Sequence, residues 1–233
     1  MTTTLGRIRS IWRYPVKSMA GEQLPAADVT LQGLAGDRMY AFVQAGSTSP
    51  FPWLTGREMP SLLQYHPRWR EAKPPRLDIR TPAGDELPIE SDELRVEVAA
   101  ASGRDVFLLP NYRGSFDVAP ITLISDATID RIAEASQTPP NPGRFRMNFY
   151  IDTGGEPFAE DAWVGRTLRL GDVRIAVTER DRRCAMVTLD PASSNASPAV
   201  LRATADLNDA YAGVYAVVLI PGQVREGQEL VAE

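Results

Sequence analysis

VRIAVTERDRRCAMVTLDP, residues 173–191, begins as a strand and ends as a cluster of arginines around a cysteine. Val173, Ile175 and Val177 alternate with Arg174, Ala176 and Thr178, the period-two pattern of a half-buried β-strand. Comparable runs recur outward in both directions: RIRSIWRYPV, DVTLQGL, RMYAFVQ, RLDIR, LRVEV, DVFLLP, MNFYI, TLRLG, AMVTL and VYAVVLI. Val, Ile, Tyr and Phe enrich many of them, as pleated half-buried surfaces favour. The 17 glycines and 19 prolines fall mostly between runs, as turns require. No fixed repeat period emerges, which argues against a propeller or solenoid. The pattern predicts a mostly β protein with barrel-like packing and few helices.

One helix stands out in ITLISDATIDRIAEAS, where Ser125 is placed to cap a helix from Asp126 to about Ala135. Ile129, Ile132 and Ala133 share its inner face, while Asp130, Arg131 and Glu134 face water. A strand running straight into a capped helix presents free backbone N–H groups, which suit anions, although Asp126 in the first turn opposes one. A weaker helical pattern covers residues 199–208. Residues 44–60 and 136–146 are proline-rich and irregular, the kind of long loop that tends to carry function, and EAKPPR at 71–76 reads as a minor linker.

At 233 residues, 43% hydrophobic and 24% charged, the chain has the composition of a globular protein with a full core, in one large or two intimate domains. A net charge of −5 and a pI near 5.1 argue against nucleic acid as the main partner, since phosphate-tracking surfaces are usually basic overall. A small anion bound by locally converging arginines remains compatible with that balance. One cysteine and one histidine exclude an intramolecular disulfide, a Cys/His zinc cluster and a four-thiolate iron–sulfur cluster. The start MTTTLGRIRS lacks the basic-then-apolar pattern of a secretory signal, and apolar runs such as YAVVLI are too short to span a bilayer, so a cytoplasmic protein without membrane association is expected.

Three clusters carry chemistry. In the first, Cys184 follows Arg180, Arg182 and Arg183, and guanidinium groups beside a cysteine favour the thiolate that binds metals or attacks electrophiles. If this segment stays extended, Arg182 and Cys184 share one face and Arg183 takes the other. A soft thiolate suits molybdenum or another thiophilic centre. Two alternatives stand beside it: a buried small hydrophobe, or a nucleophile whose only available base is His66 in QYHPRW. In the second cluster, GRFRMNFYI at 143–151, extended backbone would put Arg144, Arg146 and Asn148 on one face, with guanidinium forks for phosphate and an amide for a heterocycle edge. The third joins RYPVKSMAGE (13–22) to GLAGDR (33–38) and supplies Lys17, Ser18 and Arg38; the glycine-rich run of a P-loop is absent before Lys17.

Taken in order, Tyr14-Pro15-Val16-Lys17-Ser18, Gly36-Asp37-Arg38, Phe145-Arg146-Met147-Asn148, Trp163 with Gly165, Arg183-Cys184, Asp190-Pro191 and the closing GVYAVVLIPGQVREGQELV resemble the MOSC proteins. That family is named for the C-terminal domain of molybdenum cofactor sulfurase. The branch most resembled includes the mitochondrial amidoxime-reducing components and their bacterial relatives. The resemblance covers nearly the whole chain and implies an N-terminal MOSC β-barrel-like domain over 1–115 packed against a MOSC β-barrel domain over 116–233.

It further implies the molybdenum cofactor (molybdopterin), with Cys184 as the metal ligand and catalytic centre and Arg183 beside it. Lys17, Ser18 and Arg38 would hold the phosphate end, Arg146 and Asn148 the pterin or phosphate, and Ser125 a cofactor-contacting loop. Pyridoxal phosphate binding is a further association of the family. The implied activity is reduction of N-hydroxylated small molecules, with electrons from a ferredoxin- or cytochrome-type partner reductase. A persulfide or cofactor carrier built on Cys184 is the alternative. The chain departs from the family pattern at Met147, where relatives often have proline, and at Arg182, where the eukaryotic reductases have serine.

Overall fold

The structure is a computed structural model that describes residues 2–70 and 75–233. Most of the linker expected at 71–76 therefore lies outside the described residues. The first half runs β1 (Thr3–Arg13), β2 (Glu22–Leu24), β3 (Ala26–Thr30), β4 (Gly33–Leu34), β5 (Tyr40–Gln44), β6 (His66–Arg70), β7 (Arg76–Arg80), β8 (Glu86–Pro88), α1 (Asp92–Ser102) and β9 (Val106–Pro110). The second runs β10 (Ile121–Ser125), α2 (Asp126–Ser136), β11 (Phe149–Asp152), β12 (Thr167–Leu170) and β13 (Val173–Arg182). It ends with α3 (Pro198–Asn208), β14 (Tyr211–Ile220), β15 (Gly222–Arg225) and β16 (Glu229–Ala232).

Seven strands close into a barrel in the order β1, β16, β12, β13, β14, β10, β11 and back to β1. Strands β10 and β11 run parallel, Leu123 opposite Phe149, because α2 and the loop after it carry the chain back to the starting end. Alternate residues point inward, and a register shift between Ile8 and Ser10 lets both Ile8 and Ile11 of β1 join Leu123, Ile151, Leu168, Ile175 and Val214 in one fully buried cluster. Burial of that apolar area, at about 25 cal/mol per Å², is what holds the barrel shut. Strand β1 belongs to this barrel although it precedes the remaining barrel strands by more than a hundred residues. In the reverse direction, β15 leaves the barrel region to pair with β3. The two halves of the chain are thus stitched by exchanged strands.

The remaining N-terminal elements form small sheets, β5 with β9 and β6-β7-β8, around a second core that includes Phe42, Leu62, Ile79, Leu94 and Val98. A third cluster, with Ile129 and Ile132 of α2, Val200 and Ala203 of α3, and Phe145, Met147 and Tyr150, lies between the barrel and the helices. The expected helix after Ser125 is present, capped by the Ser125 hydroxyl accepting from the Thr128 amide at 3.1 Å. Among the described residues no helix is long and apolar enough to cross a membrane.

Two expected strands take other forms. LRVEV lies in helix α1, where the Ser91 side chain accepts from the Leu94 amide and Gly103, at φ 65°, closes the C-terminus. Leu94 and Val98 are four residues apart, so the same letters satisfy one helix face as well as alternation. AMVTL turns as a short 3-10 segment, Ala185–Thr188, immediately after Cys184.

Closure of the barrel depends on close approach at Gly6 of β1. A Cβ at that position would come within 2.3 Å of the Asp152 carbonyl oxygen across the β1–β11 seam. Neither backbone can yield without breaking the ladder. Gly6→Ala is therefore expected to lower stability by about 1–3 kcal/mol, the usual cost of overpacking, as read from urea unfolding monitored by tryptophan fluorescence.

Candidate functional site

Where β13 ends and β14 begins, the barrel meets the loops that carry YPVKS, GDR, residues 51–57 and residues 116–119, and a cavity of about 600 Å³ opens between them. Seven cationic side chains line it against three carboxylates, on a chain whose net charge is −5. The volume falls in the range of small-molecule sites, and the local charge inverts that of the whole protein. That excess of positive charge is suited to an anion.

A buried carboxylate sets its inner wall. Asp37 has no side-chain exposure, and its Oδ1 accepts from the Tyr14 amide at 2.6 Å. Its Oδ2 accepts from Asn148 Nδ2 at 3.1 Å and from the Arg38 guanidinium. Asn148 then continues the network. Its Oδ1 accepts from the Thr122 hydroxyl at 3.0 Å and the Thr122 amide at 3.2 Å, and its Nδ2 also donates to the Trp12 carbonyl at 3.2 Å. One chain of hydrogen bonds thereby joins three motifs far apart in sequence to barrel strand β10.

On this frame, Tyr14 serves as a platform. The Arg38 and Arg146 guanidinium carbons lie 4.9 and 4.4 Å from its ring centroid, both within cation–π range. Arg38 also donates to the Arg146 carbonyl at 2.8 Å, which fixes the two arginines relative to each other. Arg146 is half-buried and has no ion-pair or hydrogen-bond partner for its guanidinium among the described residues. Burial pushes it down to about 10, with the Arg38 cation acting in the same direction, so it stays charged at neutral pH. Ser18, Arg38 and Arg146 all have left-handed backbone, at φ 65°, 48° and 55°. For residues with a Cβ this conformation is costly and concentrates where the surroundings impose it for function.

Cys184 sits on the cavity wall, exposed, at the start of the 3-10 turn. Strand β13 is irregular between Arg180 and Arg182 and stops there, so the expected alternation fails. Arg183 lines the same cavity as Cys184 instead of facing away. It pairs with the buried Asp181 and donates to the Phe145 carbonyl at 2.7 Å, while its buried Nε has no partner. Burial pushes the Asp181 carboxyl up to about 6 against the opposing pull of the Arg183 guanidinium.

Behind Cys184 the loop is pinned from both halves of the chain. Arg144 donates to the Thr188 carbonyl at 2.6 Å and pairs with Asp190 at 3.0 Å, and Gln64 donates to the Pro191 carbonyl at 2.9 Å. Asp190 Oδ1 in turn accepts the Ala192 and Ser193 amides, each at 3.0 Å. Asp190-Pro191 is thus an anchor for the cysteine loop.

Of the residues expected at the site, Lys17, Ser18, Arg38, Arg146, Arg183 and Cys184 line this cavity. Lys17 is buried and already engaged, donating to Asp117 at 2.6 Å and to the Ser115 carbonyl at 2.8 Å. Asn148 and Ser125 do not reach the cavity. Asn148 is fully buried behind the wall with its amide committed to the network above, and Ser125, equally buried, is committed to capping α2. Arg144 and Arg146 do not share a face either, because residues 142–144 form a 3-10 turn and Arg146 reverses the backbone. His66 borders a separate recess of about 550 Å³ that meets the cavity only through Arg146, so it gives Cys184 no base. Asp37, Tyr14 and Asp181 escaped the sequence reading as site residues; GDR and YPVKS signalled the first two, and nothing local signalled the burial of the third.

The donor set bears on what metal chemistry fits. Among the described residues no group of three or more His, Cys, Asp or Glu side chains could hold a metal ion. Cys184 can offer one thiolate, so a metal held here takes its other ligands from the molecule that carries it. An anionic, metal-bearing cofactor fits both that constraint and the unpartnered nitrogens of Arg146 and Arg183.

The family model described as MOSC domain matches residues 112–231, and that described as MOSC N-terminal beta barrel domain matches residues 5–108. The Bos taurus protein named mitochondrial amidoxime reducing component 2 is 24% identical over 229 residues, covering 80% of this chain and 67% of its own length. The crystal structure of the YUAD protein from Bacillus subtilis superposes with a TM-score of 0.56 at 14% identity, covering 100% of this chain and 97% of that one. A further crystal structure, of a hypothetical protein, gives a TM-score of 0.50 at 14% identity, over 98% of this chain and 69% of that one. At these identities the structural likeness speaks for the fold alone.

Removing the hub should expose its weight. Asp37→Ala strips the counter-charge from Arg38, leaves the Tyr14 amide without its acceptor and removes one of the two acceptors of Asn148 Nδ2. Loss of about 3–5 kcal/mol is expected, as for other buried pairs broken from one side, measured by urea denaturation. A cost below about 1 kcal/mol would show that the network is dispensable.

Proposed function

Because the chain belongs to the MOSC family, with both its N-terminal beta barrel and its MOSC domain matched, we propose that it binds the molybdenum cofactor in the cationic cavity and reduces N-hydroxylated compounds with electrons from a partner reductase. The observation that carries this reading is the exposed Cys184 on the wall of a cavity lined by seven cations and closed on its inner side by the Asp37–Tyr14–Arg38–Arg146 assembly. The relative named for amidoxime reduction supplies the reaction class.

When bound, the cofactor supplies a two-electron redox centre. Cys184 gives that centre its protein ligand, a soft thiolate matched to a thiophilic metal. Lys17, Arg38 and Arg146 offset the charge of the phosphate end, Arg146 most freely because its guanidinium has no carboxylate partner. Ser18 lies on the same wall and can donate a hydrogen bond to an anionic oxygen. Asn148 acts one layer back by holding Asp37, and hence Arg38, in place. In the net reaction the N–O bond breaks, two electrons and two protons are taken up, and the oxygen leaves as water. Asp181, with its carboxyl at about 6 on the cavity wall, is positioned to hold one of those protons below that pH. A ferredoxin- or cytochrome-type reductase is the class of donor this chemistry requires.

A carrier function is favoured by one observation, the exposure of Cys184, since a persulfide must be reachable by its acceptor. The same preparation separates the two. Elemental mass spectrometry on protein made in a molybdopterin-synthesising host should find near-stoichiometric molybdenum in the wild type and none above background in Cys184→Ala. The loaded wild type should reduce benzamidoxime when a reductase is added. Labile sulfur on Cys184 without molybdenum, in a host that loads a control molybdoenzyme, would overturn the enzyme reading in favour of the carrier.

A further inference from the structure

The seven cavity cations fall into two sets. Lys17, Arg38, Arg180 and Arg183 each have a carboxylate partner: Asp117, Asp37, Asp161 and Asp181. Arg146, Arg57 and Arg182 have none among the described residues. Arg146 belongs to the inner wall and the Tyr14 platform. Arg57 and Arg182 are exposed, and both line the same cavity as Cys184.

Arg57 is held over the Phe51 ring, its guanidinium carbon 5.3 Å from the centroid, and its Nε donates to the Thr55 hydroxyl at 3.3 Å. The neighbouring Glu58 lies close enough to feel the Arg57 charge but makes no ion pair with it; its carboxylate accepts from the Thr55 amide at 3.0 Å and from the Thr55 hydroxyl. Arg182 ends β13 opposite Tyr211. Apolar surface lines the same cavity: Phe51 and Phe116 are half-buried, Met186 packs against Gly56, and Val118 is 54% exposed.

We infer that Arg57 and Arg182 form a subsite for an anionic group on the substrate, and that the substrate class is an aromatic or apolar body carrying a carboxylate or phosphate beside its N-hydroxyl group. This rests on the function proposed above and goes beyond it by naming what the substrate carries. Lys17, Arg38 and Arg146 make up the buried inner wall; Arg57 and Arg182 are exposed, lack a carboxylate ion pair and share the cavity with apolar rings, the composition that recognises an amphipathic anion. Exposed guanidinium–anion contacts are weak one at a time, so two acting together give about a tenfold preference.

The test compares benzamidoxime with its 4-carboxy and 4-phosphonooxy derivatives, using molybdenum-loaded protein and a reductase at fixed concentration. Wild type should favour the anionic compounds about tenfold in kcat/KM, mainly through KM, and the better of the two anions names the group. In Arg57→Gln/Arg182→Gln the ratio should fall to near one, while Arg202→Gln, at an exposed arginine outside the cavity lining, keeps it. Calorimetry with 4-amidinobenzoate against benzamidine reads the same subsite without turnover. A calorimetric preference lost in the double variant, with no reduction of any compound by loaded wild type, would sink the reductase reading and leave the subsite standing. An anionic-to-neutral ratio near one in the wild type, with benzamidoxime reduced, would sink the subsite alone. Lower molybdenum content in the double variant would assign these arginines to the cofactor, and a raised apparent KM for the reductase with every compound alike would assign them to partner docking; either overturns the proposal.

Discussion

A carboxylate wholly removed from solvent, Asp37, stands at the meeting point of the two halves of the chain. A buried charge of this kind persists only where donors surround it, because an unpaired carboxylate in a protein interior costs several kcal/mol. Here the donors come from Tyr14, Arg38 and Asn148. Each belongs to a different stretch of sequence, so satisfying the charge forces those stretches together. The position of Tyr14 follows, and from it the positions of both arginines that lie against its ring. Asn148 carries the same constraint into barrel strand β10 through Thr122. The inner wall of the cavity is therefore set by electrostatic necessity more than by apolar packing.

The outer wall is set differently. Cys184 stands at the point where β13 loses its ladder and the chain tightens into a 3-10 turn. Arg144 and Gln64 hold the far side of that turn, one from each half of the chain. The thiol is thus exposed on a loop whose backbone is tied down, which suits a ligand that must be reachable and yet fixed. Left-handed backbone at Ser18, Arg38 and Arg146 fits the same picture. Local strain at cavity residues is tolerated because the barrel core and the Asp37 network over-determine their positions.

Most barrel strands were legible because alternation of apolar and polar residues is a local signal, as in VRIAVTE. α1 was not, since Leu94 and Val98 are spaced to serve a strand or a helix, and Ser91 with Gly103 decided between them. Six cavity residues were legible by type and motif. Asn148 was expected at the site because its amide can bond a heterocycle edge, and Ser125 because the helix start it caps resembles a cofactor-contacting loop; a sequence does not say that the Asn148 bonds are already made within the protein or that Ser125 lies off the cavity wall. Arg183 was expected on the opposite face from Cys184, and only the irregular end of β13 brings them to one wall. Asp37 was visible as a motif letter, yet its burial depends on groups from positions 14 and 148 and has no local signature.

The central claim, that this wall presents Cys184 as the protein ligand to molybdenum, is met most directly by X-ray absorption at the molybdenum edge on the loaded protein. The account predicts one sulfur neighbour beyond the cofactor's own dithiolene pair, replaced by an oxygen neighbour in Cys184→Ser. An unchanged sulfur count in that variant, at equal molybdenum content, would contradict it.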